Sequence, residues 1–468
     1  MRLLPHPTTS LPVLLLLFAA TDFCAAAAEP IHVPISLGRR GSATVENRRY
    51  TRNLPNQRRA TVPIGSDELD AYYYFTLSLG TPPQQFNFQI DLGSPYSWVA
   101  NASCASLGCE DILHRYDPSS SSSVTQISTG NSIQYRPVNV SGNFVKDAVR
   151  LTPYTVPSQF FLAANKVSAD VESWTSSGII GLAYQKTTQG PSFPMSLFVD
   201  SNGQLASAEM SFWVNRMNTV DYDENPVGGA FTFGGTNTSL YQGAIEYLPT
   251  TAPSNTTWNL DVKEIIVQGT TVQITPASAA FSFLSLNISG PASDVAAIWA
   301  AVPDAVPSTT HSGYYEFPCT TNVNVSVSFG GLSWNINPVD MNIGAVKPGS
   351  SNCLGAIYAL NSSSSSNTTQ TNGTTSWVFG TAFMKNVYSV FQPTPFSIGF
   401  AELSSQASSS NNHSSHSTPL KTIVGAVVGG VVLLAICGGL GRRRHTRSVV
   451  VRPPEFAVVT EQRLVRIG

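Results

Sequence analysis

The chain has 468 residues, of which 12% are charged, and its formal net charge is −2. This length accommodates one large two-lobed unit with accessory segments. Between residues 70 and 402 the acidic side chains outnumber the basic ones by about two to one. An acidic body of this kind argues against a nucleic-acid-binding protein.

The first 28 residues have the three parts of a secretory signal peptide. Arg2 supplies a positive charge, residues 11–20 form an apolar stretch, and the alanines at 25–28 provide a small-residue cleavage site. The apolar stretch is too short to cross a bilayer. We therefore predict that residues 1–28 are a signal peptide and that the chain enters the secretory pathway.

Residues 29–59 carry three dibasic pairs, at 39–40, 48–49 and 58–59. The last pair lies just before the first strand-like run of the sequence. We interpret this segment as a propeptide that is cleaved after Arg59, with an uncleaved basic linker as the alternative.

Residues 60–402 are predicted to form a β-rich ectodomain. Short β-branched and aromatic runs alternate there with clusters of Gly, Pro, Asn and Ser. The clearest predicted strands cover residues 72–79, 86–90, 230–233, 323–329 and 387–391. Helical patterns are confined to residues 293–302, opened by Ser293 and Asp294, and to a segment near 195–200. The predicted fold class is all-β with a few short helices.

The C-terminal part has the pattern of a membrane anchor. Residues 403–421 are rich in serine and are predicted to form a solvated stalk. Residues 422–441 contain no charged side chain and are long enough to cross a bilayer as one C-terminal transmembrane helix. Three arginines follow, so residues 442–468 are predicted to be a basic cytoplasmic tail. A lipid-anchor signal is the alternative, but it requires the apolar segment at the extreme C-terminus.

This topology predicts a single-pass type I membrane protein of the plasma membrane or cell surface, with the vacuolar membrane as an alternative. Ten Asn-x-Ser/Thr sequons lie on the side of the membrane that the signal peptide predicts, which supports the topology. The predicted glycosylation sites are Asn101, Asn139, Asn237, Asn255, Asn287, Asn324, Asn361, Asn367, Asn372 and Asn412.

Four of the six cysteines lie in the predicted ectodomain. In an oxidising compartment they form most simply a local pair, Cys104–Cys109, and a longer one, Cys319–Cys353. Because no histidine cluster accompanies these cysteines, we predict no metal site. No motif indicates a cofactor.

Two windows of the chain are related by similar spacing. In the first, an apolar run leads into Asp91, a glycine turn at Gly93 and Ser94, and the aromatic Trp98; in the second, residues 279–291, there is no Asp. A second internal similarity links Gly178-Ile-Ile-Gly-Leu-Ala with Trp377-Val-Phe-Gly-Thr-Ala. Such paired similarities are expected from a duplicated two-lobe architecture.

Several stretches occur in an order and spacing that is specific when they are taken together. They are Leu79-Gly-Thr-Pro-Pro-Gln, Asp91-Leu-Gly-Ser with Trp98-Val, Cys104 with Cys109, Tyr116-Asp-Pro-Ser, Gly178-Ile-Ile-Gly-Leu-Ala-Tyr, Phe233-Gly-Gly, Trp258, Cys319 with Cys353, and Trp377-Val-Phe-Gly. Through them residues 72–402 resemble the pepsin-like aspartic proteases. The resemblance implies a bilobal β fold, with an N-lobe at about 70–242, a C-lobe at about 243–402 and a deep cleft between them.

Each lobe of such a protease supplies one catalytic Asp. Like charges about 3 Å apart cannot both ionise, so the two carboxyls share one proton. The ionised carboxylate takes a proton from water, and the protonated one donates to the scissile carbonyl. This chemistry therefore requires both acids.

The resemblance places Asp91 at the first catalytic Asp and Ser282 at the second. Leu92 replaces a Thr whose hydroxyl joins a hydrogen-bond lattice across the lobe interface, and Phe283 and Leu284 replace the Thr and Gly of the second loop. A serine hydroxyl is not a useful acid or base at any working pH. Without an acidic partner, Asp91 is expected to titrate closer to an ordinary carboxylate than a member of such a pair does.

The resemblance also implies substrate-binding roles for Gly93, Ser94 and Trp98, and it makes Tyr135 the flap tyrosine that closes over the substrate. The Gly-rich flap tip of the family is replaced at residues 136–138 by Arg-Pro-Val. Proline fixes φ and lacks an N–H, so a substrate backbone would lose hydrogen-bond partners there.

We therefore predict a membrane-anchored, glycosylated pseudoprotease. It would bind a peptide or protein ligand or act at the cell surface, and we expect a monomer. The alternative is an active aspartic-type endopeptidase that works at acid pH with a second carboxylate from elsewhere in the C-lobe. Asp294 and Asp304 are poor candidates for that acid, because Asp294 is expected to cap a helix and Asp304 lies beyond it. A third interpretation is an unrelated all-β receptor or adhesin.

Overall fold

The computed structural model describes residues 31–39, 71–110, 112, 114–134, 139–151, 154–168, 176–200, 205, 207–216, 227–250, 258–360 and 377–409. The chain divides into two units, Met1–Asn412 and His413–Gly468, and all described residues lie in the first. The predicted signal peptide, the span at 422–441 and the basic tail lie outside the described residues. Within the described part, no helix is long and apolar enough to cross a membrane.

Most of the described residues lie in short strands. The strands are β1 Ile31–Arg39, β2 Ala71–Leu79, β3 Gln84–Asp91, β4 Trp98–Ala100, β5 Thr125–Gln134, β6 Asn139–Leu151, β7 Tyr154–Val167, β8 Gly178–Gly181, β9 Met210–Val214, β10 Val227–Phe233, β11 Tyr241–Pro249, β12 Asn259–Val262, β13 Glu264–Val267, β14 Thr270–Val272, β15 Ala277–Phe281, β16 Ile288–Gly290, β17 Val306–Pro307, β18 Tyr315–Pro318, β19 Val325–Ser328, β20 Ser333–Ile336, β21 Asn342–Ala345, β22 Asn352–Gly355, β23 Ile357–Ala359, β24 Trp377–Phe379, β25 Tyr388–Pro393 and β26 Phe396–Leu403.

Helices are few and short among these residues. The α-helices are α1 Phe193–Asp200, α2 Ala292–Ala300, α3 Thr381–Met384 and α4 Ser405–Ser409, and the 3₁₀ helices are Leu107–Cys109, Pro118–Ser120 and Pro338–Met341. The prediction of a mostly β fold with a few short helices is confirmed. Each predicted strand and helix is present, with ends within three residues of the predicted ones.

The largest sheet has 13 strands and joins the two halves of the chain. Its order is β11-β26-β25-β9-β10-β1-β2-β3-β8-β4-β7-β6-β5. The C-terminal β25 pairs antiparallel with β9, from Ser389 opposite Phe212 to Phe391 opposite Met210. The smaller sheets have the orders β12-β15-β24-β16-β23, β14-β13-β19-β20 and β17-β18-β22-β21.

The same four-strand arrangement occurs once in each half. In the first half β3 pairs parallel with β8, β8 antiparallel with β4, and β4 parallel with β7. In the second half β15, β24, β16 and β23 pair in the same order and directions. The internal repeat predicted from the glycine-containing windows is therefore confirmed, since those windows supply β8 and β24.

Strand β1 was not predicted, because it lies inside the segment interpreted as a propeptide. It pairs antiparallel with β10 along Ile31–Ser36 and with β2 along Ser36–Arg39, and its Ile35 is fully buried. The main sheet thus includes a strand from residues 29–59 and does not begin at residue 60. Cleavage after Arg59 stays a prediction.

The solvated stalk was predicted to begin at residue 403, and this boundary is wrong for the residues that form α4. The hydroxyl of Ser404 accepts a hydrogen bond from the N–H of Ala407 at 3.2 Å, which is an N-cap. Ala407 is buried in a cluster with Trp213 and Tyr388. Capping and this apolar contact hold the start of the serine-rich segment on the folded domain.

Candidate active site

Asp91 ends β3 and its carboxylate is held by the turn that follows. The backbone N–H of Gly93 donates to Asp91 Oδ1 at 2.7 Å. Parallel pairing with β8 sets Asp91 opposite Gly181, and the N–H of Leu182 donates to the Asp91 carbonyl oxygen at 2.7 Å. The side chain is only 7% exposed, so strand pairing and the turn fix a buried carboxylate in one orientation.

Burial raises the pKa of Asp91 from 3.8 to about 6, and hydrogen bonds from the backbone of Gly93 and Ser94 oppose this shift. Desolvation disfavours the charged form of a carboxyl group, whereas N–H donors favour it. None of these causes is a neighbouring carboxylate. The expectation that Asp91 titrates closer to an ordinary carboxylate than a member of a proton-sharing pair did not include this loss of solvent, which raises its pKa.

Ser282 occupies the corresponding place in the second half. It follows β15 directly, and the N–H of Leu284 donates to Ser282 Oγ at 3.1 Å. Gly93 makes the equivalent contact with Asp91. In both loops the N–H donor lies two residues after the side chain that accepts. The hydroxyl thus takes the position of a carboxylate oxygen in the turn.

Two glycines support the equivalence of the loops. A Cβ on Gly181 would overlap the carbonyl oxygens of Ser94 and Tyr96, and a Cβ on Gly380 would overlap those of Ser285 and Asn287. Each loop therefore passes over a glycine of the neighbouring strand at matching positions. This close backbone approach is the physical reason for the glycine that the two internal windows share.

Apolar side chains follow the two loop residues. Leu92 is fully buried, and Phe283 is buried with its ring 4.9 Å from that of Phe212 and 6.2 Å from that of Tyr73. Neither side chain can donate or accept a hydrogen bond. A hydroxyl lattice between these two positions cannot form, and hydrophobic packing takes its place.

The predicted substrate-binding residues divide into three groups. Gly93 and Ser94 are partly exposed beside Asp91, and Ser94 Oγ accepts from the N–H of Tyr96 at 3.1 Å. Trp98 is fully buried in a cluster with Cys104 and Cys109, which does not fit direct contact with a ligand and makes it a core residue beneath the loop. Tyr135 and residues 136–138 lie outside the described residues.

Sequence reasoning missed Ser97. Its buried hydroxyl accepts a hydrogen bond from the N–H of Gly181 at 3.0 Å, which ties the loop after Asp91 to the end of β8. The sequence gives only a weak indication of this role, because serines near glycine turns are common. The partner of Ser97, Gly181, becomes apparent only from the strand pairing.

The two other acids considered for the C-lobe make different contacts. Asp294 is buried in the first turn of α2 and accepts from the N–H of Thr275 at 3.0 Å and from its hydroxyl at 3.1 Å. The N-cap position of α2 is Pro291, so the cap role predicted for Asp294 is wrong and the carboxylate ties the helix to a neighbouring loop. Asp304 is exposed.

Both predicted disulfides, Cys104–Cys109 and Cys319–Cys353, are present. In the described part of the chain, no group of three or more His, Cys, Asp or Glu side chains is placed to hold a metal ion.

The sequons differ in exposure. Asn139 and Asn324 are exposed and Asn237 is partly exposed, whereas Asn101 and Asn287 are buried. The amide of Asn287 donates to the Tyr314 hydroxyl at 3.4 Å, so that nitrogen has a hydrogen-bond partner within the folded domain. The other five sequons, at residues 255, 361, 367, 372 and 412, lie outside the described residues.

A family model and several known proteins match most of this chain. The family model for eukaryotic aspartyl protease matches residues 72–403. The chain is 33% identical over 366 residues to Major aspartyl peptidase 1 of Cryptococcus neoformans var. grubii, covering 75% of this chain and 73% of that protein.

Two further relatives show similar coverage. The chain is 30% identical over 347 residues to aspartic-type endopeptidase ctsD of Aspergillus fumigatus, covering 74% of this chain and 68% of the relative. It is 26% identical over 424 residues to cathepsin D of Homo sapiens, covering 85% and 99% of the two chains.

Proposed function

We propose that this chain, which belongs to the family of eukaryotic aspartyl proteases, binds peptides in its cleft without hydrolysing them. The observation that carries the proposal is the hydroxyl of Ser282 at the loop position that corresponds to Asp91. A serine hydroxyl cannot share a proton with a carboxylate as a second Asp would. Losing one general acid–base group lowers a rate by about 10²–10⁴-fold, and losing one member of a unit that acts together lowers it further.

The surroundings of the two loops support the same conclusion. Phe283 packs its ring against Phe212, where a hydroxyl lattice would otherwise align the two loops. Asp91 is left as a buried acid whose raised pKa has burial as its main cause. Below that pKa its carboxyl group can donate one hydrogen bond to a peptide carbonyl, which is a binding contact and not a reaction.

The test is digestion of denatured protein at acid pH by the purified full chain, with Asp91→Asn as the matched control. We expect both proteins to show the same background. Turnover by the wild type that is absent from Asp91→Asn would overturn the proposal. Binding of a statine-type peptide inhibitor by the same preparation, without turnover, is the expected sign of a retained cleft.

An active aspartic-type endopeptidase is the second candidate function. It is favoured by the family and by the names of the relatives, which are a peptidase and an endopeptidase. A buried Asp91 with a pKa of about 6 can also act as a general base above that pH. The digestion assay, run at acid pH and again above pH 6, where Asp91 is ionised, separates the two candidates directly.

We also propose that the chain enters the secretory pathway and is anchored in a membrane. The uncharged span at 422–441 followed by arginines supports a type I membrane protein on the secretory route, at the plasma membrane, cell surface or vacuolar membrane. The two disulfides support an oxidising compartment. Recovery of the chain in the membrane fraction after alkaline extraction is expected, and its release by alkali alone would contradict the anchor.

Glycosylation is proposed for the accessible sequons. Exposure supports this for Asn139 and Asn324, which are exposed, and for Asn237, which is partly exposed. Burial argues against it for Asn101 and Asn287. Mass spectrometry after enzymatic glycan release should mark the first three asparagines and leave the two buried ones unmarked.

A further inference from the structure

The second loop carries a leucine where the first loop carries a glycine. The N–H of Gly93 donates to the Asp91 carboxylate at 2.7 Å. The N–H of Leu284 donates to the Ser282 hydroxyl at 3.1 Å in the same way. At this position the two loops therefore differ by an isobutyl side chain. A glycine lets another molecule approach the backbone closely, whereas a leucine fills the space beside it.

The Leu284 side chain connects the second half of the chain to the first. It is partly buried and packs against an apolar cluster whose other described members all lie between residues 96 and 179. This cluster contains the buried rings of Phe144 and Phe160, which lie 6.2 Å apart. Phe283, the preceding residue, belongs to a different cluster. Leu284 is thus the residue of the Ser282 loop that packs on the apolar cluster of the first half.

Tyr96 links this apolar cluster to the Asp91 loop. It lies in the loop that follows Asp91, and its ring is 6.0 Å from that of Phe144 and 6.1 Å from that of Phe160. Tyr96 and Leu284 are the two partly exposed residues that pack against the cluster in the described part of the chain. One residue from each loop therefore covers an apolar surface of the first half.

We propose that Leu284 fills the apolar subsite next to Asp91 and restricts the ligand there to a small side chain, that of glycine or alanine. This inference rests on the peptide binding proposed above and names the class of peptide. A leucine or phenylalanine of a ligand would have to displace Leu284 from the rings of Phe144 and Phe160. Forcing extra atoms into a packed apolar site is unfavourable, whereas a small side chain leaves Leu284 in place.

The experiment compares two statine-type peptide inhibitors that differ in one side chain. The central hydroxyl-bearing residue carries a methyl group in one inhibitor and an isobutyl group in the other. Neither has a scissile bond at that residue, so the comparison does not depend on whether the chain hydrolyses peptides. Calorimetry on the purified full chain measures both affinities. We expect the wild type to bind the methyl inhibitor at least about tenfold more tightly than the isobutyl one.

Two truncations of Leu284 test its role in this preference. Leu284→Ala shortens the side chain, and Leu284→Gly gives the second loop the residue that the first has at Gly93. Each should reverse the preference, so that the isobutyl inhibitor binds at least about tenfold more tightly, because it fills the space that the leucine leaves.

Leu286→Ala is the matched control. Leu286 lies two residues further along the same loop and is also partly buried, but it packs against the cluster that contains Phe283. This variant should keep the wild-type preference. Circular dichroism of each variant shows that a change in binding is not lost folding, and the wild-type preference tests the inference even where a variant does not fold.

The outcomes separate this inference from the proposed peptide binding. A wild type that binds the isobutyl inhibitor more tightly, the same preference in the wild type and both Leu284 variants, or an equal shift in Leu286→Ala would each overturn the role of Leu284 and leave peptide binding intact. Binding of neither inhibitor by any of the folded proteins would contradict peptide binding itself, and the inference with it.

Discussion

At the scale of single residues, the acidity of Asp91 follows from its place at the end of β3. The side chain is removed from water by the strands around it, and two backbone N–H groups only partly compensate. The folded protein therefore holds a proton that the unfolded chain releases, between pH 3.8 and about 6. Such a group stabilises the fold fully below the lower value, and this contribution is lost as pH rises through the higher one.

We predict that the free energy of unfolding of the wild type, relative to Asp91→Asn, falls by about 3 kcal/mol between these pH values, since each pKa unit is worth about 1.4 kcal/mol. Denaturant unfolding of both proteins across this pH range measures the difference. A difference that stays constant, or that grows as pH rises, would show that burial does not control this carboxyl group.

Phe283 illustrates a second residue-scale effect. It is buried against Phe212 and Tyr73, so truncation would leave a cavity behind the Ser282 loop. We predict that Phe283→Ala lowers the free energy of unfolding by about 3–5 kcal/mol. The exposed Leu107 is the control, and Leu107→Ala should change stability by less than about 0.5 kcal/mol. Equal effects of the two variants would contradict the packing described here.

At the scale of elements, β1 links the sequence before residue 40 to the body of the fold. It lies between β10 and β2, so its loss would expose the unpaired edges of two long strands, which promotes aggregation. Loss of a segment that preceded the domain without pairing with its strands would expose no strand edges.

Ile35 tests this role of β1, because it is fully buried. We predict that Ile35→Ala destabilises the uncleaved chain by about 2–5 kcal/mol, measured by chemical denaturation. His32 is exposed on the same strand, and His32→Ala is expected to cost much less. An Ile35→Ala protein as stable as the wild type would mean that β1 is dispensable for the fold.

The strands around both loops could be predicted because apolar runs, glycine turns and cysteines are local features of the sequence. Sequence reasoning placed Ser282 at the position of the second catalytic Asp, and the N–H of Leu284 donates to Ser282 as that of Gly93 does to Asp91. It did not predict β1, although Ile31, Val33, Ile35 and Leu37 alternate there with other residues, because the segment was interpreted as a propeptide. The pairing of β1 with β10, about 200 residues away, is a tertiary contact that this local pattern does not contain. The raised pKa of Asp91 and the partner of Asp294 also depend on tertiary contacts that no local pattern contains.

At the scale of the whole molecule, a buried ion pair connects the two halves of the chain. Arg216 follows β9, Asp340 lies in the 3₁₀ helix Pro338–Met341, and Asn386 follows α3. The guanidinium donates to Asp340 and to Asn386, and the Asn386 amide donates to Asp340 at 2.9 Å. Each charge is thereby paired and hydrogen-bonded, which a buried ion pair requires.

We predict that Asp340→Ala lowers the free energy of unfolding by about 3–5 kcal/mol, because it removes the buried carboxylate to which the Arg216 guanidinium and the Asn386 amide donate. Lys263 and Asp261 form the control pair at 3.0 Å, with both side chains accessible to solvent. Asp261→Ala should cost no more than about 1 kcal/mol. Similar costs for both variants, in denaturant titrations at neutral pH, would show that the connection between the halves is not set by this pair.

The central claim is that Asp91 is a lone acid, with the Ser282 hydroxyl where a proton-sharing partner would be. Carboxyl ¹³C NMR of the full chain labelled at aspartate tests it most directly, with Asp91→Asn to assign the signal. We predict one titration step near pH 6, unchanged in Ser282→Ala. Two coupled steps, the behaviour of a carboxyl pair that shares a proton, would contradict it.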